Sequence, residues 1–165
     1  AEGETIDVGG KLDIEKNISL SGKLDVGGTV EAGETLKAES VDVGGSLKAR
    51  QIIANGTVEV GGRIEAHEGT KASRVKIGER GRITGTVVAN DVLLSERSEA
   101  DDIYADTLTM EERSKANNIY AKNVYLERGC RVTGELQYIG ELREEGDVSL
   151  AKEPKNVKTL PSPPI

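Results

Sequence analysis

Pairs of apolar residues two positions apart return along the chain at a nearly constant interval. The pairs are Ile6-Val8, Val41-Val43, Val58-Val60, Val75-Ile77, Val92-Leu94, Leu108-Met110 and Val124-Leu126, with Val26 filling the second slot of its own turn. The second residues run Val8, Val26, Val43, Val60, Ile77, Leu94, Met110 and Leu126, in steps of 18, 17, 17, 17, 17, 16 and 16 residues. Alternation of apolar and other positions is the period of a β-strand, and a repeat this short holds one coil of chain rather than a domain. The pattern predicts an all-β solenoid, a parallel β-helix of about eight short rungs over residues 6–138. Its core should include Val43, Leu47, Val60, Ile64, Ile77, Leu94 and Leu126.

Residues 40–57 show how one coil is read. Val41 and Val43 face inward on one strand, Gly44-Gly45 turn a corner, and Leu47 and Ala49 face inward on the next. Arg50-Gln51 make a second corner, Ile52 or Ile53 opens a third face, and Asn55-Gly56 close the coil. Gly-Gly and Asn-Gly supply the positive φ values that tight corners need. Three short faces give a triangular cross-section, and rungs stacked about 4.8 Å apart make a rod roughly 38 Å long.

Corner chemistry divides the rod. The first four rungs turn at Gly9-Gly10, Gly27-Gly28, Gly44-Gly45 and Gly61-Gly62; the last four turn at longer corners centred on Glu79-Arg80, Glu96-Arg97, Glu112-Arg113 and Glu127-Arg128. Since the repeat length hardly changes, another part of the coil must shorten. The near-duplicate segments Glu96 to Ala105 and Glu112 to Ala121 predict Tyr104 stacked on Tyr120 and Ile103 on Ile119. Arg82, Glu99, Lys115 and Arg131 should form one column, as should Asp106 and Lys122. Opposite charges across neighbouring strands contribute about 0.2–1 kcal/mol each and penalise slips of register.

All four prolines, Pro154, Pro161, Pro163 and Pro164, fall at the end of the chain. Proline cannot donate to a ladder, so the chain divides into a rod, residues 1–150, and a proline-containing tail, residues 151–165. Lys152, Lys155 and Lys158 against Glu153 give the tail a charge of +2, so the rod carries -9 and the whole chain -7. The tail reads most simply as a solvated end that supplies no ladder, with a strap lying on its own or a neighbouring rod as the alternative.

Composition supports a narrow core. Phe and Trp are absent, and there are four Tyr and one Met among 165 residues, where a compact two-layer domain would use aromatic rings. The negative charge argues against nucleic acid as a partner, because such affinity rests on Lys and Arg meeting phosphates. The single cysteine, Cys130, excludes an internal disulfide and suits a reducing, cytoplasmic compartment. Candidate chemistry is sparse. His67 is the only histidine, in the polar corner Ala-His-Glu-Gly-Thr; three-histidine zinc sites therefore cannot form from this chain alone. Cys130 takes the slot of Ser98 and Ser114, with no histidine after it to serve as a base. No phosphate-binding glycine loop and no G-G-x-G-x-D calcium corner occurs. The expectation is a protein without catalytic, cofactor or metal residues and without a small-molecule substrate.

The closing stretch Val124 to Leu136, V-Y-L-E-R-G-C-R-V-T-G-E-L, with the short coil and the Gly-Gly and Asn-Gly corners, resembles the bactofilins. Glu127, Gly129, Cys130, Val132 and Gly134 occupy the positions of that family's closing rung, Cys130 standing where the family usually has Ala. The resemblance implies a right-handed β-helix that assembles end to end, without nucleotide, into non-polar cytoskeletal filaments, in the cytoplasm and sometimes at membranes. It also implies membrane or other cytoskeletal proteins as partners, through a preceding N-terminal segment or the tail.

The residues lead to a similar expectation on their own. The first and last rungs of a solenoid present unpaired backbone groups and an apolar cross-section, and solenoids need polar caps to remain monomers. No amphipathic helix or aromatic plug precedes Ile6. The assembly interface is therefore expected at Ile6 and Val8 at one end and at Leu136, Tyr138 and Ile139 at the other, with a homopolymer as the product. Tyr138, Ile139 and Leu142 would form either a partial cap or, with Val148 and Leu150, a further rung. The competing readings are a monomeric binding platform, using Tyr104, Tyr120 and the nearby Tyr125, and a hexapeptide-repeat acyltransferase-like enzyme using His67.

Overall fold

The computed structural model describes residues 2–165. They form a right-handed parallel β-helix of about nine turns, with no helix. Every strand pairing is parallel, and each coil pairs in register with the next. The first face stacks Ile6 on Leu24, Leu24 on Val41, and so on through Val58, Val75, Val92, Leu108, Val124 and Leu142. Val43, Leu47, Val60, Ile64, Ile77, Leu94 and Leu126 are all buried, as the alternation predicts, and Ile52 rather than Ile53 turns inward on the third face.

The coil changes shape along the rod. In the early rungs the second face carries two inward residues, such as Leu47 and Ala49 or Ile64 and Ala66. Past the Glu-Arg corners it shrinks to the two-residue strands Glu99–Ala100, Lys115–Ala116 and Arg131–Val132, each with one inward residue. The longer first corner is thus compensated by a shorter second face. The core narrows with it, from Leu47 and Ile64 to Ala100 and Ala116 in the same column.

Two features lie beyond the eight-rung expectation. Leu142–Glu144, Ser149–Leu150 and Lys155–Asn156 pair with the rung beneath on the three faces and make a ninth rung. This is the further rung that the sequence left as an alternative to a cap; the apolar pattern does not decide it because Glu144 stands on Leu126 in an inward slot. The tail therefore does supply ladder, at Lys155–Asn156, and only its remainder leaves the sheet. At the other end, Glu2–Gly3 pairs with Ser19–Leu20, so the third face starts before Ile6.

The Gly-Gly corners explain the tightness of the early coils. The N–H groups of Gly44 and Gly45 both donate to the Val26 carbonyl, at 2.7 and 3.1 Å. A Cβ on Gly45 would drive into the Gly28 carbonyl beneath, whereas one on Gly44 would stand 3.6 Å from the nearest atom. Close approach, not the positive φ expected of these corners, demands the second glycine: among the described residues the left-handed glycines are Gly69, Gly85 and Gly129.

Candidate functional site

At the N-terminal end, Ile6–Val8 and Lys11–Ile14 pair on one side only among the described residues. Ile6, Leu12 and Ile14 are half-buried there, while Val8 is buried at 7% exposure. This brings Ile6 and Val8 together on an apolar end. Leu136, Tyr138 and Ile139 do not form the opposite end. Leu136 is buried on Ile119, and Gln137 and Tyr138 carry Lys155 and Asn156 above them. The Ile139 carbonyl accepts a hydrogen bond from Asn156 Nδ2 at 3.2 Å. The end itself is made by Leu142, Val148 and Leu150, all half-buried, around the exposed Glu144.

The charge columns form as the repeat predicts: Arg82 pairs with Glu99 at 3.5 Å and Asp106 with Lys122 at 3.4 Å, all well exposed. Exposed pairs of this kind contribute little stability.

The Glu-Arg corners are four-residue turns closed by N–H to C=O bonds, Ser98 to Ser95 at 3.1 Å and Ser114 to Glu111 at 3.2 Å. Their third residues, Arg80, Arg97 and Arg113, hold φ near 60°. In the last such corner Cys130 N–H donates to Glu127 C=O at 3.3 Å and the left-handed position falls to Gly129. Glu127-Arg128 is therefore shifted by one against the earlier Glu-Arg pairs, which matching letters alone conceals. Ser98 and Ser114 donate their hydroxyls back to Ser95 and Glu111, and the Cys130 thiol donates to the Glu111 carbonyl at 3.1 Å. Cys130 is fully buried, and burial pushes its thiol up from the ordinary value. A buried, protonated thiol is a poor nucleophile.

His67 is exposed in a bulge between Ala66 and Gly69, beside the Arg50–Glu68 ion pair at 3.1 Å. The bulge places Thr70 in an inward slot between Ile52 and Val87. Thr70 is fully buried, and its hydroxyl has no partner among the described residues. No group of three or more His, Cys, Asp or Glu side chains suited to a metal ion occurs among the described residues.

The third face carries the aromatic ladder. Tyr104 stacks on Tyr120 with ring centroids 4.8 Å apart and planes tilted by 30°. The Tyr120 hydroxyl donates to Glu135 at 3.1 Å. Burial, then that bond and the carboxylate's charge, push the Tyr120 phenol up to about 12. Burial and Asp102 raise Tyr104 as well. Tyr125 does not join them: strand Ile119–Leu126 bends around a corner, so Tyr125 stands on the first face under the Arg143 guanidinium, 5.8 Å away.

The end of the chain lies across this ladder. Val157 N–H donates to Tyr138 C=O at 2.8 Å. Leu160, Pro161 and Pro163 then border a groove of about 300 Å³ with Val88, Tyr104 and Tyr120. The Ile165 Cδ1 methyl reaches Gly69. The end of the tail thus lies along its own rod, touching it through the half-buried Leu160 and Ile165, while Lys158, Thr159 and Pro161 to Pro164 stay exposed. From Tyr138 to the rung of Thr70 is four strand spacings, about 19 Å. The residues from Val157 to Ile165 span about 25 Å as a polyproline helix. Among the described residues no hydrogen bond or ion pair holds residues 158–165.

No family model, no curated protein and no solved structure matches the chain.

Proposed function

We propose that the chain is a non-enzymatic structural protein that joins copies of itself end to end into nucleotide-independent filaments or scaffolds. The observation that carries this is the rung of Ile6, Val8, Leu12 and Ile14, paired on one side, with Ile6, Leu12 and Ile14 half-buried and Val8 buried. A ladder edge with an apolar cross-section satisfies both its backbone and its side chains by meeting another. The dispersed chemistry of His67 and Cys130, one exposed in a bulge and the other buried in a corner, supports a role without catalysis. The bactofilin resemblance of Val124 to Leu136 points the same way. It adds a cytoplasmic location and attachment to membranes or other cytoskeletal proteins through a preceding segment or the tail.

The two ends are unequal. Glu144 makes the C-terminal end more polar, so joining at Ile6 and Val8 is the stronger contact and forms first, with longer assemblies at higher concentration. The test combines sedimentation velocity and electron microscopy of the 165-residue chain with its Val8→Glu and Ile6→Glu variants. An ionised carboxylate buried without a partner costs several kcal/mol or more. Both variants should keep their β circular dichroism and lose the pair and everything larger. Wild-type protein that stays monomeric at high concentration, or variants that assemble as before, would refute end-to-end joining through this rung.

A further inference from the structure

We infer, on the reading that rods join end to end, that the ninth rung is a latched cap: it closes the C-terminal end and must lift before that end can join another. The rung is built unlike those beneath it. Below it, the inward columns that end in Leu126 and Tyr138 are apolar; it adds Glu144 to the first and Asn156 to the second. Pro154, next to Lys155, has no N–H to offer a further strand. A polar terminal repeat keeps a solenoid from joining at that end.

The same rung is lightly held. Its apolar side chains are Leu142, Val148 and Leu150, each half-buried, whereas Val124, Leu126, Val132 and Leu136 beneath are no more than 2% exposed. Three, two and two paired residues hold it, where strand Ile119–Leu126 alone pairs seven with the coil below. Segments with few buried apolar contacts open first. Beyond Val157 the chain turns down the third face, where the half-buried Leu160 and Ile165 touch the rod. That contact ties Lys155–Asn156 to rungs far below, so the strap acts as the latch and peels before the cap lifts. Lifting bares Val124, Leu126, Val132 and Leu136. It also frees the carbonyls of Leu126, Cys130, Val132 and Tyr138, which accept from Glu145, Ser149, Ala151 and Val157 while the cap is down. The bared end is then of the same kind as the rung of Ile6 and Val8, an apolar cross-section with an unpaired ladder edge. Rods joined by their first rungs stay as pairs under a closed cap and grow longer only as it lifts.

The test locks the cap in the full-length chain. Gln137 and Lys155 are paired neighbours on adjacent parallel strands, about 4.8 Å apart, a separation that a disulfide spans. Gln137→Cys with Lys155→Cys should, when oxidised, stop at the pair in sedimentation velocity at every concentration, and regain wild-type assemblies with reductant. Leu160→Asp with Ile165→Asp releases the latch and should bring on assemblies longer than a pair at a concentration at least tenfold lower. An oxidised chain that elongates like the reduced one, or an unlatched chain that elongates no sooner than wild type, overturns the cap. Hydrogen exchange reads the lifting without any assembly. In the Val8→Glu chain the amides of Glu145, Ser149, Ala151 and Val157 should exchange at one common rate. That rate should be at least tenfold faster than at Glu127, Arg131 and Thr133, which bond to the rung below, and should fall when the cysteine pair is oxidised. Four unrelated rates, or rates equal to those of the lower rung, overturn a cap that lifts as a unit. If Val8→Glu still pairs while the oxidised disulfide stops growth, the first-rung contact falls and the cap stands. Common exchange with no assembly by any variant overturns end joining itself, and the gating role with it.

Discussion

Glu144 stands in register on Leu126, at the top of an inward column that runs Val8, Val26, Val43, Val60, Ile77, Leu94, Met110 and Leu126. A charge in an inward slot at a ladder edge discourages further pairing there. Glu144→Leu should therefore lower the concentration at which assemblies longer than a pair appear in sedimentation velocity. An unchanged size distribution would show that this residue does not guard the end.

The Gly-Gly corners separate two substitutions that look alike. Gly45→Ala forces a methyl into the Gly28 carbonyl and should cost about 1–3 kcal/mol or more in urea unfolding. Gly44→Ala makes only an ordinary van der Waals contact, 3.6 Å from the Val26 carbonyl, and should stay within about 0.5 kcal/mol of wild type. Equal effects at both positions would be incompatible with the stacked-corner geometry.

Arg97 and Arg113 hold φ of 58° and 60°, a conformation that Gly129 provides in the next corner of the column. Left-handed backbone costs an L-residue about 1–2 kcal/mol, and glycine gives back about 0.5–1 kcal/mol in chain entropy. Arg97→Gly or Arg113→Gly should thus stabilise by about 0.5–1 kcal/mol, read as a higher urea midpoint at unchanged slope.

Thr70 buries a hydroxyl without a partner between Ile52 and Val87. Thr70→Val exchanges that group for a methyl and should stabilise by about 1 kcal/mol. A loss of stability would mean that the hydroxyl is satisfied in solution.

The Tyr120 phenol is held protonated in the fold, with its value raised from 10.0 to about 12. A raised folded value means the stability it contributes is whole below pH 10 and is lost as the pH rises through about 12. The melting temperature of wild type should fall more steeply over that interval than that of Tyr120→Phe. Parallel curves would rule out this linkage.

The ladder was legible in the sequence wherever one physical rule acted alone. Inward slots of the first face repeat because every coil must refill the same narrow core, and Tyr104 meets Tyr120 because two coils share a length. Legibility stopped where another demand entered. Glu144 and Pro154 break the apolar pattern of the ninth rung, so periodicity stops one rung short of the ladder. Glu127-Arg128 matches the earlier corners by letter, yet backbone conformation assigns the left-handed place to Gly129. Tyr125 is close to Tyr120 in sequence, but a single corner moves it to another face. The strap has no period at all; its place follows from a row of outward apolar residues, Val88, Tyr104 and Tyr120, that a search for inward positions passes over.

A strap that runs along the rod axis, across the strands, also sets how the molecule takes tension. A pull on Ile165 meets no hydrogen bond before Val157 among the described residues, so the strap peels one contact at a time at low force. Only when Val157 is reached does the load fall on the Lys155–Asn156 ladder and the bonds it shares with Gln137 and Tyr138. The rod thus carries a soft spring in series with a stiff beam. Its extension before the beam bears weight is set by the length of chain from Val157 to Ile165.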